Sequence, residues 1–229
     1  MATLGIVGGL GPESTIDYYR RILAEWKRDD PASSPSIIID SLDVGLGLRL
    51  VEHDRPALIE YLSASLRRLA AAGADFAAMA ANTPHVVFDD LVARSPIPMV
   101  SIVEACAAEA ERRDLRRLGL LGTRFTMEGS FYPSVFARRG IAVVSPNDED
   151  RAWVHDRYIG QLLKADFRDE TRDGVISVVR RLRDKEEIDG IILGGTELTL
   201  LLSAPVVADI PALDTTALHV AAIVKRLGA

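Results

Sequence analysis

LGIVGGLGPEST, residues 4–15, reads as a short apolar strand, a glycine turn and a polar helix start, and LGLLGTRFTMEGSFY, residues 118–132, repeats that layout in the second half of the chain. A second pair behaves the same way: AAMAANTPH at 77–85 and IILGGTELT at 191–199 each end an apolar run on a small residue and continue into a polar turn. Equivalent strand ends in both halves predict two lobes built on one plan. Working outward from these motifs, strands are predicted at 4–8, 36–40, 74–80, 98–102, 117–122, 141–145, 190–194 and 210–214. Most are continuous apolar runs, the pattern of parallel strands covered on both faces. Helical patterns fill roughly 13–28, 55–72, 86–94, 103–113, 127–139, 148–165, 171–185 and 215–227. Strand–helix alternation of this kind predicts an α/β fold with right-handed crossovers.

Composition narrows the function classes. The chain has 229 residues, 48% hydrophobic and 26% charged, with a formal net charge of −6, which is ordinary for a globular protein. Its arginine pairs fall on separate helices rather than in one basic block, so neither nucleic acid nor an anionic membrane is expected as a partner. The most apolar stretch, around residues 69–81, is interrupted by Gly73 and Asp75 and is too short to span a bilayer. Cys106 is the single cysteine, which excludes an internal disulfide and a cysteine-based zinc site. With no leader pattern in residues 1–8, a cytoplasmic location is expected. Histidines 53, 85, 155 and 219 share no metal-ligand spacing, so no metal is expected.

Open parallel sheets take ligands at the carboxyl ends of their strands, and all four motifs lie there. Helix-start N–H groups with a neighbouring hydroxyl or amide suit a small carboxylate. Gly8, Gly9 and Gly11 do not have the G-x-G-x-x-G spacing of a dinucleotide loop, so no nucleotide cofactor is expected. Taken singly, Thr83, Thr123 and Thr196 read as helix caps, and Glu13 as a first-turn acid. Their recurrence in both halves favours a ligand site. No nucleophile elbow surrounds Ser41 or Ser130, so a hydrolase triad has no support.

GIVGGLGPEST, ANTPH, LLGTRFTMEGSFY and GGTEL, in this order and spacing, resemble the aspartate/glutamate racemase family of cofactor-independent amino-acid racemases over essentially the whole chain. The resemblance implies two Rossmann-like lobes with parallel sheets, related by a pseudo-twofold axis around a ligand cleft, with residues 1–98 plus 209–229 in the first lobe and 99–208 in the second. It implies no cofactor, an amino acid or dicarboxylate as ligand, and a homodimer. In the family, Cys-Asn-Thr-x-His and Gly-Cys-Thr-Glu supply two cysteines on opposite sides of the substrate α-carbon; one removes the proton and the other returns it. Here those positions are Ala81 and Gly195, neither of which exchanges a proton. The resemblance further places Gly9, Glu13, Asn82, Thr83, Thr123, Thr126 and Thr196 around the substrate, and Arg49 and Lys164 near its distal carboxylate.

Standard two-thiol racemisation is therefore not expected. Three readings follow. The first is divergent isomerase- or lyase-type chemistry on a carboxylate, with His85, Glu197 or Glu13 moving the proton. The second is a disabled, cysteine-substituted racemase. The third is a non-catalytic sensor of small carboxylates. Cys106, in the helix after the fourth strand, is expected to be buried and inert.

Overall fold

A computed structural model describes residues 2–228. The chain divides into two compact units, residues 1–102 with 219–229 and residues 103–218.

The first unit is built on β1 (Thr3–Gly8), α1 (Pro12–Asp29), β2 (Ser36–Ser41), α2 (Val44–His53), α3 (Arg55–Ala71), β3 (Phe76–Met79), α4 (Phe88–Arg94) and β4 (Met99–Val100), with a single 3₁₀ turn over Thr83–Val87. Its sheet runs β2-β1-β3-β4, with every pairing parallel. Helix α1 starts at Pro12, whose missing N–H is no loss in a first turn, and carries Lys27 and Arg28 at the end where the dipole favours cations. It buries Tyr18, Ile22 and Trp26 against Leu4, Ile6 and Phe76 of the sheet. Helix α2 was not foreseen, because Gly45 and Gly47 mask its pattern. Asp43 nevertheless caps it, accepting from the Leu46 N–H at 3.0 Å.

The second unit contains α5 (Ile102–Arg112), β5 (Arg117–Gly122), α6 (Arg124–Met127), α7 (Phe131–Ala137), β6 (Ala142–Val144), α8 (Asp148–Gly160), α9 (Asp169–Glu186), β7 (Gly190–Gly194), α10 (Thr196–Leu201), β8 (Val206–Val207) and β9 (Ile210–Asp214), and α11 (Thr215–Leu227) follows. Its sheet runs β6-β5-β7-β9-β8, parallel except for the β8–β9 pair. The order β6-β5-β7-β9 reproduces β2-β1-β3-β4, so the internal repeat read from the motifs is a repeat of topology. Asn147 caps α8 through the Asp150 N–H at 2.9 Å, and three acids fill the first turn.

The lobe limits read from the sequence need moving. Strand β4 pairs with β3 and so completes the first sheet, which delays the first crossing from 99 to 103. Strand β9 pairs with β7 and completes the second sheet, so the return to the first unit comes at His219 rather than 209. From there Val220, Ile223, Val224 and Leu227 join the first unit's core. The expected helix over 127–139 is two short helices separated at Glu128–Ser130, and the one over 148–165 ends at Gly160, followed by a 3₁₀ turn at Leu162–Lys164 and a left-handed Ala165. Among the described residues no helix is long and apolar enough to cross a membrane.

Candidate active site

The β1 turn is closed on itself. Gly9 has φ +77°, and a Cβ there would run into the backbone N and O of Leu42, so only glycine fits. The Gly9 N–H donates to Thr15 Oγ1 at 2.8 Å, and the same hydroxyl donates to the Gly11 carbonyl at 3.1 Å. Thr15 therefore rigidifies the glycine turn, while Glu13 is exposed on the first turn of α1.

Beside it, β3 is followed by Ala80 and Ala81, both buried, and Asn82 opens the 3₁₀ turn, also buried but without a side-chain cap. His85 lies 2% exposed within that turn. Its Nδ1 is 3.1 Å from the Ala81 carbonyl, which only accepts, and its Nε2 is 3.4 Å from the Ile102 N–H, which only donates. These partners select the neutral tautomer protonated on Nδ1. Burial first, then nearby His219, lowers the pKa of His85 to about 3. With both nitrogens held by backbone, His85 is assigned to the fold; it ties the β3 turn to the start of α5.

His219, which the sequence analysis left without a role, is arranged in the mirror sense. Its Nε2 donates to the Val100 carbonyl at 3.0 Å, and its Nδ1 accepts from the Tyr18 hydroxyl at 2.8 Å. Burial depresses its pKa to about 4. The two imidazoles lie edge to face, 6.5 Å apart, and His85 also stacks on Phe88 at 4.9 Å. His85 and His219 thus fasten both ends of the 100–102 segment inside the first unit.

In the second unit, Gly122 and Gly194 are register partners on β5 and β7. A Cβ on Gly122 would lie 2.6 Å from the Gly194 carbonyl, so the paired glycines let Thr126 pack over both strand ends. Thr123 caps α6, its hydroxyl 3.4 Å from the Thr126 N–H and 3.3 Å from the Thr126 hydroxyl. Both threonines are buried.

The β7 end is the more polar of the two. Thr196 donates to Glu197 Oε2 at 3.0 Å, and Tyr158 of α8 donates to the same oxygen through a very short hydrogen bond. Glu197 is 2% exposed and Tyr158 4%. Burial, and then the Glu197 carboxylate, hold the Tyr158 phenol well above its ordinary pKa. Tyr158 also fills the space in front of Gly195: a Cβ there would overlap the ring at Cε2 and sit 2.7 Å from the hydroxyl oxygen. Sequence reading missed Tyr158, since it lies 39 residues from Glu197 and follows no motif.

Arg49 on α2 and Lys164 in the turn after α8 are both exposed, and neither makes an ion pair among the described residues. Cys106 is fully buried in α5, where burial and then Glu109 push its thiol pKa far up, as the inert reading expected. No cluster of three or more metal-ligating side chains occurs among the described residues.

The site residues thus gather within each unit at the carboxyl ends of neighbouring strands: Gly9 beside Ala81, Asn82, Thr83 and His85 in one, and Thr123 and Thr126 beside Gly195, Thr196 and Glu197 in the other. The family model for Asp/Glu/Hydantoin racemase matches residues 7–223. The broad specificity amino-acid racemase RacX of Bacillus subtilis (strain 168) is 25% identical over 223 residues, covering 93% of each chain. Among solved structures, a candidate Asp/Glu racemase from Yersinia pestis is 34% identical with a TM-score of 0.88, each chain covered in full. An aspartate racemase homologue from Pyrococcus horikoshii OT3 is 32% identical with a TM-score of 0.82, again over 100% of both chains. The motifs, the doubled sheet order and these likenesses converge: the chain belongs to the Asp/Glu/Hydantoin racemase family.

Proposed function

We propose that this protein is a cofactor-independent enzyme that binds a small amino acid or dicarboxylate and moves a proton at its α-carbon by a route other than the two-thiol racemase reaction. The observation that carries the reading is the contrast between the turns and the thiols. The turns after β3, β5 and β7 are polar, with Asn82, Thr123, Thr126 and Thr196 buried at strand ends, whereas the only cysteine is sealed in α5. Relatives described as an amino-acid racemase and an aspartate racemase homologue support an amino-acid or dicarboxylate ligand. Arg49 and Lys164, exposed cations without ion-pair partners among the described residues, are the candidates for a second carboxylate.

The disabled-racemase reading loses ground at residue 195. A thiol simply deleted leaves a void, but here the Tyr158 ring stands where the side chain would begin. The sensor reading keeps one supporting observation, that Ala81 brings no group able to exchange a proton and His85 is committed to the backbone.

The test is deuterium uptake at the α-carbon in D₂O, followed by NMR, for L- and D-aspartate, L- and D-glutamate and malate, with thermal stabilisation by each compound measured in parallel. Stabilisation with uptake or a new product supports the enzyme. Stabilisation with neither leaves a binding protein, and no stabilisation by any compound removes the reading.

A further inference from the structure

We propose that Tyr158, working through Glu197, is the proton-transfer residue of this protein and takes over, at the end of β7, the place that the missing side chain of Gly195 leaves open. The inference rests on the enzymatic reading above and deepens it by assigning the group that does the chemistry.

Three observations carry it. First, Tyr158 occupies the volume directly off the β7 end: its hydroxyl oxygen is 2.7 Å and its Cζ 2.9 Å from where a Cβ on Gly195 would stand. An acid/base group on residue 195 would have to use that same space. Second, the phenol is coupled to a carboxylate. Glu197 Oε2 accepts from both Tyr158 and Thr196, so its position is set by two donors within one buried cluster. A buried carboxylate is costly unless such donors offset it, and a leucine at the same position in α10 would carry no such cost. Third, the titratable groups that the sequence motifs put forward in the first unit are occupied or remote. Both nitrogens of His85 and of His219 are held by the partners described above, and Glu13 is exposed on α1.

The environment also dictates the form of the step. Because burial and the adjacent carboxylate disfavour the phenolate, Tyr158 does not act by first losing its proton to solvent. A relay avoids that charge. As the substrate Cα–H bond breaks, its proton bonds to Tyr158 Oη, the phenol's own proton passes to Glu197 Oε2, and the electron pair stays on the α-carbon, delocalised into the substrate carboxylate. The reverse relay returns to the α-carbon whichever hydrogen Tyr158 Oη then carries, a deuteron once the Tyr158 hydroxyl has itself exchanged with solvent before the return. Tyr158 touches the reacting atom and is the catalytic residue; Glu197 acts through it. One relay serves one face of the α-carbon, so the exchanged substrate retains its configuration.

The experiment measures deuterium uptake at saturating substrate, together with chiral chromatography of the recovered amino acid, for the unaltered protein and for Tyr158→Phe and Glu197→Gln, with folding of each variant checked by circular dichroism. Uptake with retained configuration is expected from the unaltered protein. Tyr158→Phe removes one oxygen and keeps the ring, and it is expected to lower uptake by about 100-fold or more. The loss should fall on the saturated rate and not on the half-saturating concentration, which mere loosening of the pocket would also move. If Tyr158→Phe does not fold, Glu197→Gln decides by the same criterion. Uptake at the unaltered rate in a folded variant overturns the proposal, and so does inversion of configuration. Ligand stabilisation without any uptake by the unaltered protein overturns it too while leaving a binding site, whereas absence of both removes the enzymatic reading along with it.

Discussion

The β3 end and the β7 end occupy equivalent places in two sheets of the same order, yet their buried polar groups are used differently. At β3, His85 and His219 spend three of their four ring nitrogens on main-chain groups and the fourth on Tyr18. At β7, Tyr158 and Thr196 both donate to the Glu197 side chain. Imidazoles tied to the backbone hold a chain path in place and have no proton to spare. A phenol that donates to a carboxylate keeps its own proton, since burial and the neighbouring charge disfavour the phenolate, and can release it only as the phenol oxygen takes up another. Topological equivalence therefore does not imply the same use of buried polar groups: one strand end ties them to the main chain, and the other links them side chain to side chain.

Acid should expose this difference most strongly. In the unfolded chain both histidines ionise near 6.5, against about 3 for His85 and about 4 for His219 in the fold, so the unfolded state binds more protons in between. Stability is then full above about pH 6.5 and falls as pH drops toward 4, by roughly 1.4 kcal/mol per pH unit for each histidine that stays neutral. Glu109, held down at about 2 by its hydrogen bond to Arg112, stabilises the fold fully above its ordinary value of 4.5 and adds to the loss only as pH falls below that value. Urea midpoints at pH 7, 6 and 5 check this. A flat profile would mean that the two imidazoles are not neutral anchors.

A mutation at the β3 side comes next in size. His219→Leu removes the acceptor of the Tyr18 hydroxyl and the donor to the Val100 carbonyl, and it should cost about 2–4 kcal/mol at pH 7 while flattening the slope between pH 6.5 and 4.5. A cost below about 1 kcal/mol in denaturant titration would break the structural assignment.

At the β7 side the expected stability effect is smaller and steric. Gly195→Ala drives a methyl into Tyr158 and should destabilise by about 1–3 kcal/mol, and Tyr158→Leu in the same chain should recover part of that loss. Additive costs for the two substitutions in a double-mutant cycle would show that the ring does not fill the place of the residue 195 side chain. Arg49→Ala and Lys164→Ala should change stability least, within about 0.5 kcal/mol, because both side chains are exposed and unpaired among the described residues. Their effect belongs to ligand binding: stabilisation by aspartate should weaken, and equal stabilisation by aspartate in all three proteins would remove the distal-carboxylate role.

Much of the fold was legible because strands and helices announce themselves locally. Buried parallel strands need continuous apolar runs, and LGIVG, RLGLLG and GIILG have them. Glycine at a tight turn and proline at a helix start act through their own backbone, as Gly9 and Pro12 show. The repeated motifs likewise marked the strand ends where the polar turns lie. The lobe limits were misplaced because β9 owes its membership of the second sheet to pairing with β7, a contact between segments that no local pattern encodes. Helix α2 was hidden for a different reason, as its two glycines lower the intrinsic preference that Asp43 restores through a single cap.

For this chain, the sequence by itself determined the family, the doubled α/β plan and the single cysteine, since each of these is a matter of residue identity and short-range order. Only the tertiary structure decided what stands in front of Gly195. Tyr158 reaches the β7 end from α8, and His219 reaches the β4 segment from α11, because hydrogen bonds and excluded volume act between residues near in space, however far apart they lie along the chain.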